Sequence, residues 1–352
     1  MKHIKSISQV AQLTARNSCA AIFGFALRST LILLFLSVAL GTQAAAKPYR
    51  MGIVLPGDEW ASSVDGLKAA MKAQGYVEGK DIVYLLENAH GNKKVVLETT
   101  KKFVADKVDA IYTITNTALK IVVEATRSAK TPVVFGSASG PVESGIIQGY
   151  VTPDTHVTGV TSGSIELVAK RLEILKDVLP QVKRVALIGD FESDSSKAAF
   201  VVAEETAPKL GLTLLEIRVR SKEEAIDGVK KLTRKETDAI FLIPGLYGVG
   251  AMTEIAGVAK SARIPFAVYQ VEHVKKNGAL LSYGSSYYLQ GKQSASLVDK
   301  VLKGTPVYQL PIERPSLHEF VLNLDTAKEI GVRFSPEVLN RADELIGAGA
   351  KR

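Results

Sequence analysis

The sequence predicts an α/β protein made of two Rossmann-like lobes with parallel sheets, and three observations predict it. From Tyr49 onward, short β-branched apolar runs alternate with stretches of helical periodicity, the order that makes βαβ units and sheets covered on both faces. The chain also repeats itself. Residues 128–135 (SAKTPVVF) return as 261–268 (SARIPFAV), 108–114 (VDAIYTI) as 237–243 (TDAIFLI), and 49–55 (YRMGIVL) as 183–189 (KRVALIG). The displacements agree within a few residues, as they do when one supersecondary unit is used twice. Finally, 352 residues that are 46% hydrophobic and 23% charged suffice for two ordinary globular cores.

The first 46 residues stand apart. A cationic stretch precedes the apolar run at 30–40 (TLILLFLSVAL), and the small residues of 41–46 (GTQAAA) fit an A-x-A cleavage site. The expectation is an export signal cut near Ala46, giving a periplasmic protein. The alternative is an uncleaved anchor, against which Arg28 keeps the apolar run short of the ~20 residues that span a bilayer. This leader holds Lys2, Lys5, Arg16 and Arg28 and no acid, half of the formal charge of +8. What remains has no dense Lys/Arg run, so no nucleic-acid partner is expected. The single cysteine, Cys19, lies in the leader and lacks the residues that precede a lipid-modified cysteine, so the exported chain is expected to carry no thiol, disulfide or Cys metal site.

Taken in order, the first half predicts strands at 50–55, 81–86, 110–115 and 132–135. Its first helix, over 59–74, sets Val64, Leu67, Ala70 and Met71 on one face and stops at Gly75. The second half predicts strands at 185–188, 213–217, 239–243 and 266–269, with helices starting after Asp194, Ser221 and Tyr247. The Ser-Ala-basic-x-Pro phrase is expected to be a joint. Lys130 or Arg263 complements the negative helix end, and Pro132 or Pro265 forbids further helix before the next strand. Sheets of this kind bind ligands in the crevice beyond the carboxyl ends of their strands.

Residues 278–284 (GALLSYG), 301–306 (VLKGTP), 323–331 (NLDTAKEIG) and 334–343 (FSPEVLNRAD) carry a family resemblance. So do 75–79 (GYVEG), 131–135 (TPVVF), 157–160 (VTGV) and the Lys176-x-x-x-Pro180 run. In order and spacing the chain after the leader resembles the ABC-transporter substrate-binding family that includes the tryptophan/tyrosine-binding TrpX type. The resemblance implies a periplasmic-binding-protein type I fold with three crossings forming a hinge and a small organic ligand, in some relatives an aromatic amino acid, held between lobes. It implies lobe I over 47–158 and 284–312, and lobe II over 159–283 and 313–352, hinged near 158–162, 282–285 and 311–315. Two departures stand out. Gly140-Pro141 occupies the place of the usual Asp-Pro, and residues 153–156 (PDTH) that of Pro-Gly-Gly-Asn, so the ligand is open to difference.

The loops after strand ends supply the candidates. In the first lobe, Thr115, Asn116 and Thr117 open a helix whose free N–H groups suit a ligand carboxylate, although such residues are also ordinary N-caps. Asp58 and Trp60 lie in the first cleft-facing loop, and the ring of Trp60, the chain's single tryptophan, either stacks on a ligand or packs locally. Ser137 and Ser139 offer hydroxyls, or simply make the turn. In the second lobe, Asp190 and Glu192 are the natural acceptors for a ligand ammonium, and Tyr247, Tyr269 and Tyr283 either wall the site or are ordinary half-buried tyrosines.

Catalysis is not expected. His90, His156, His273 and His318 include no i, i+4 pair, residues 136–140 (GSASG) place Ala where a nucleophile elbow needs Ser, and Gly248-Val-Gly250 lacks a third glycine at the dinucleotide spacing. No cofactor or metal is expected. The expectation is a monomeric solute-binding protein serving an ABC permease; a ligand sensor reporting to a membrane receptor is the alternative, and an exported hydrolase or sugar-modifying enzyme a more remote one.

Overall fold

The computed structural model describes residues 47–150 and 156–348, so the expected export signal and positions 153–155 of the altered crossover lie outside the described residues. Strands β1 (Tyr49–Leu55), β2 (Ile82–Asn88), β3 (Ala110–Ile114), β4 (Val133–Ala138) and β5 (Val157–Thr161) enter one sheet. A second sheet takes β6 (Arg184–Asp190), β7 (Thr213–Val219), β8 (Ala239–Leu242), β9 (Phe266–Val268) and β10 (Leu281–Gly284). The chain then returns to the first with β11 (Ile312–Glu313) and to the second with β12 (Glu319–Asn323) and β13 (Glu344–Ile346), crossing between sheets three times. The first sheet, ordered β11-β5-β4-β3-β1-β2, is wholly parallel. The second, β13-β12-β10-β9-β8-β6-β7, reverses direction between β10 and β12. Two mostly parallel α/β lobes are what the alternating pattern predicts.

Helices cover both faces because successive strand residues point opposite ways. In β3, Ile111 packs with Phe103, Leu119 and Val122 beneath α2 (Lys93–Ala105) and α3 (Asn116–Thr126). Its neighbour Tyr112 turns to Leu67 and Met71 of α1 (Ala61–Ala73). In the second lobe, Phe241 packs with Leu172 of α4 (Val168–Val178) and Phe200 of α5 (Asp194–Thr206). Ile240 and Leu242 face α6 (Lys222–Lys230) and, beyond the short α7 (Leu246–Gly250), α8 (Met252–Ser261). The single helix expected after Tyr247 is thus split at Ala251, just after a segment whose Gly248 and Gly250 are poor helix formers.

The three echoes turn out to be one lock made twice. The Asp109 carboxylate accepts the Arg50 N–H at 2.6 Å while the Asp109 N–H donates to the Arg50 carbonyl at 2.8 Å. Asp238 and Arg184 repeat both bonds at 2.8 Å. Beside them, the Ile111 and Ile240 N–H groups donate to the carbonyls of Pro132 and Pro265, each at 2.8 Å. The basic residue of the joint does not belong to the helix end as expected. Lys130 (φ 50°) and Arg263 (φ 55°) take the left-handed conformation beyond it. For Arg263 this forms a Schellman cap, with Arg263 N–H donating to Lys260 and Ile264 N–H to Ala259 at 2.9 and 2.8 Å.

The short α9 (Val271–Lys275) precedes β10, and after the second crossing comes α10 (Tyr287–Leu302), which lies against α1 and β4. The approach is close enough that Gly66 faces the Tyr288 carbonyl and Gly291 faces that of Ser63, with no room for a Cβ at either. Since the obstacle is backbone, the helices themselves would have to part. Gly291→Ala is therefore expected to destabilise the protein by about 2–3 kcal/mol, read as a lower urea midpoint at unchanged slope.

Candidate functional site

The parallel strands β1–β5 of the first sheet and β6–β10 of the second each release the chain at one edge, and the two such edges meet across a cleft. On the first side, Thr115 caps α3, its Oγ accepting from the Ala118 N–H at 3.3 Å. Asn116 donates both amide hydrogens, to the Ser139 carbonyl at 2.6 Å and the Ser144 hydroxyl at 2.7 Å. That fixes its orientation and leaves its Oδ1 buried without a partner among the described residues. On the second side, Ser193 caps α5, and its hydroxyl meets that of Ser195 at 2.8 Å. Contacts that span the gap include Lys120 to Asp194 at 2.8 Å, Lys222 to Glu59 at 3.4 Å and the Gln270 amide to the Ser137 hydroxyl at 3.5 Å, and nearer the crossings the Ser286 hydroxyl donates to Glu272 at 2.9 Å and the Tyr150 hydroxyl to Glu166 at 3.2 Å. The lobes are closed on one another.

Two adjoining cavities remain. An inner chamber of about 20 Å³ is enclosed by Trp60, Tyr269 and Tyr287, the hydroxyls of Ser137, Ser139 and Ser195, and the starts of α3 and α7. An outer compartment of about 300 Å³ has Ile121, Ile146, Val219, Leu246 and Tyr247 among its walls, with Lys93, Lys120, Arg220 and Glu192 also along it. Asn116, Thr117, Ser193, Ser195 and Leu246 line both.

Of the sequence-derived candidates, the structure brings Trp60, Thr115, Asn116, Thr117, Ser137, Ser139 and Tyr269 to the inner chamber, and Asp190, Glu192 and Tyr247 to the outer compartment. Two stand elsewhere. Asp58 is 82% exposed, accepts from the Asn88 amide at 2.7 Å and lines neither cavity. Tyr283 also lines neither; it stacks on His318 with ring centroids 6.1 Å apart, joining the second and third crossings. Asp190 is not a free ammonium acceptor. Its carboxylate accepts the N–H groups of Leu246 at 2.5 Å and Tyr247 at 3.2 Å, holding the start of α7. Burial nonetheless outweighs those bonds and pushes its pKa up to about 6.

Sequence reasoning missed Ser193, Ser195 and Tyr287. The serines read as an ordinary helix start, and Tyr287 opens the helix just past the second crossing, beyond the strand-end loop itself. It also missed Arg171, buried behind Tyr269 with its guanidinium 5.6 Å from the ring centre. Arg171 donates to the carbonyls of Ser164 and Leu167 on the first crossing, and its Nη1 has no partner among the described residues. Burial lowers its pKa to about 9, which still leaves a cation at neutral pH.

Two residues at the chamber are strained. Thr115 (φ 71°) and Ser137 (φ 58°) have positive φ without being glycine, and Ser137 sits in a register shift of β4. Such conformations cost of order 1–3 kcal/mol each and cluster where backbone geometry serves a ligand.

A family model described as ABC transporter substrate binding protein matches residues 52–346. A tyrosine-binding protein of Clostridioides difficile (strain R20291) is 26% identical over 268 residues, 76% of this chain and 76% of that protein. A conserved domain protein from Vibrio cholerae superposes with a TM-score of 0.80 at 24% identity, covering 85% of this chain and 100% of that one. An ABC domain from Streptococcus pneumonia in complex with L-Trp gives 0.78 at 21% identity, with the same coverage. These likenesses establish the two-lobed periplasmic-binding-protein fold.

Ser137→Gly is expected to raise stability by up to about 1 kcal/mol, as backbone strain is relieved, while weakening whatever binds the chamber; urea unfolding and calorimetry on the same samples read the two effects. Asp190 makes a pH prediction. The unfolded carboxyl releases its proton near 3.8 and the folded one near 6, so the stability this group supplies is present below the unfolded value and is lost as pH rises through the folded one. Between about pH 4 and pH 7, wild-type stability should fall relative to Asp190→Asn by roughly 2–3 kcal/mol, and a difference flat with pH would refute the assignment.

Proposed function

The chain belongs to the ABC transporter substrate-binding protein family, and from that premise we propose that it captures an aromatic amino acid between its lobes and hands it, unaltered, to an ABC permease. The observation that carries this reading is the closed cleft itself, where hydroxyls, aromatic rings and two helix N-termini from opposite lobes surround adjoining cavities. Family membership supplies the general role, a small-molecule ligand and an ABC permease as partner. The named ligands of two relatives, tyrosine and L-Trp, favour the aromatic class.

A ligand shifts the open–closed balance only through contacts that differ between the two states. Here the contacts come from both lobes: Thr115, Asn116 and Ser137 on one side, Ser195 and Tyr269 on the other. We assign lobe I to 47–158 and 284–312, lobe II to 159–283 and 313–352, and the hinge to the three stretches near 158–162, 282–285 and 311–315. The protein acts as a monomer, catalyses no reaction, binds no nucleic acid and works in the periplasm after loss of residues 1–46. Solute-binding proteins of the family are extracellular or periplasmic, and among the described residues no helix is long and apolar enough to cross a membrane.

The test is a thermal-shift and calorimetric screen of amino acids against residues 47–352. L-Tyrosine, L-tryptophan or L-phenylalanine should stabilise the protein by about 2.7 kcal/mol at a hundredfold excess over Kd. If no amino acid shifts the transition, or if the purified protein turns over ester or glycoside substrates, the reading fails.

A further inference from the structure

The sizes of the two cavities and the chemistry of their walls fix a direction for the ligand. This inference rests on the solute-capture reading above. An apolar cavity of about 150 Å³ accepts benzene, whereas one water-sized group needs only ~10–15 Å³. The inner chamber, at about 20 Å³, therefore has room for a small polar group and none for a phenol or indole ring. The outer compartment, at about 300 Å³, has that room, and its walls include the apolar side chains of Ile121, Ile146, Val219 and Leu246.

Charged groups, Lys93, Lys120, Glu192 and Arg220 among them, lie along the outer compartment, whereas the inner chamber offers uncharged hydroxyls, an amide and helix N-termini. The hydroxyl of Tyr287, a residue only 1% exposed, lines the inner chamber beside Trp60 and Tyr269, with which it interacts. Burial raises its pKa, keeping it a donor. The hydroxyls of Ser137 and Ser195 stand beside it, and the N-termini of α3 and α5 reach the same space from opposite lobes. The buried Arg171 cation, whose charged form Glu166 also favours, lies with its guanidinium 5.6 Å from the centre of the Tyr269 ring. All of these favour an anion. At the junction of the two cavities stands the unpartnered Asn116 Oδ1, an acceptor in a side chain 8% exposed. A buried acceptor left empty is costly, and a ligand ammonium would fill it.

We propose that the amino acid binds head first: its α-carboxylate fills the inner chamber at Tyr287, Ser137 and Ser195, its ammonium meets Asn116 Oδ1, and its side chain remains in the outer compartment against Ile121 and Leu246. Trp60 then closes the head-group chamber and does not stack on the ligand ring. Specificity for the side chain is set by the outer walls.

Calorimetry with four probes tests the direction: L-tyrosine, O-methyl-L-tyrosine, L-tyrosine methyl ester and N-acetyl-L-tyrosine, or the matching tryptophan derivatives if tryptophan binds more tightly. The ester and the N-acetyl compound should lose at least about tenfold, since each leaves buried groups unpaired, while O-methylation should change affinity by less than about threefold. In Ile121→Trp, O-methyl-L-tyrosine should lose more than L-tyrosine does. Rejection of O-methyl-L-tyrosine with full binding of the ester or the N-acetyl compound would reverse the direction and overturn the proposal, though amino acid capture would stand. Absence of binding by every amino acid in the earlier screen would remove the capture reading itself.

Discussion

A parallel sheet can release its chain at only one edge, and every other feature of this protein follows from having two such edges face each other. Loops that leave a strand's carboxyl end carry free N–H groups at helix starts, and here they do so from both sides of one gap. The edges are kept in register by the opposite ends of the strands. There Asp109 and Asp238 each accept the N–H of an arginine, Arg50 and Arg184, and return their own N–H to its carbonyl. In the second lobe the arginine side chain also reaches Asp238 and holds its pKa down near 2. These locks sit far from the cleft, so the binding edge can vary in residue type without loosening the sheets.

The cleft edge is built on opposite terms. Where the locks pair donor with acceptor, the chamber keeps Asn116 Oδ1 without a partner among the described residues and holds Thr115 and Ser137 at positive φ. A fold selected for stability alone would fill or remove such groups. Behind the chamber, α10 is clamped onto α1 at the Gly66–Gly291 approach, which fixes Tyr287 at the head of the helix. Tight apolar packing on the far side of the lobe thus supports an unsatisfied polar surface on the near side.

Much of this was legible in the sequence, for a physical reason. Strand and helix periodicity is local, and the echoed phrases 108–114 and 237–243 encode bonds that each lobe makes within itself. Most strand-end residues also proved to line the cleft, because topology alone sends them there. What escaped was occupancy. Nothing in the order Asp190-Phe191-Glu192 says that the first acid is consumed by the N–H groups of Leu246 and Tyr247, residues more than fifty positions on. Nor does the run Asp58-Glu59-Trp60 say that Asp58 faces water while Trp60 is buried to 3% exposure. The left-handed basic residues were invisible for a related reason: a glycine after a helix advertises that conformation, whereas Lys130 and Arg263 adopt it under the demand of the proline joint that follows.

The acid count in the interior bears on how charge is handled during closure. Asp190 is engaged by backbone, Arg171 by carbonyls of the first crossing, and the contacts that bridge the mouth, Lys120–Asp194 and Lys222–Glu59, are partly exposed. Exposed pairs of this kind contribute about 0–1 kcal/mol each, too little to hold two lobes shut alone. Closure must then draw most of its free energy from groups that gain partners only when a solute lies between the lobes. The unpaired atoms of the chamber are such groups, and their cost in the empty closed state favours opening. The same atoms that weaken the empty clasp therefore give a bound solute its leverage over it.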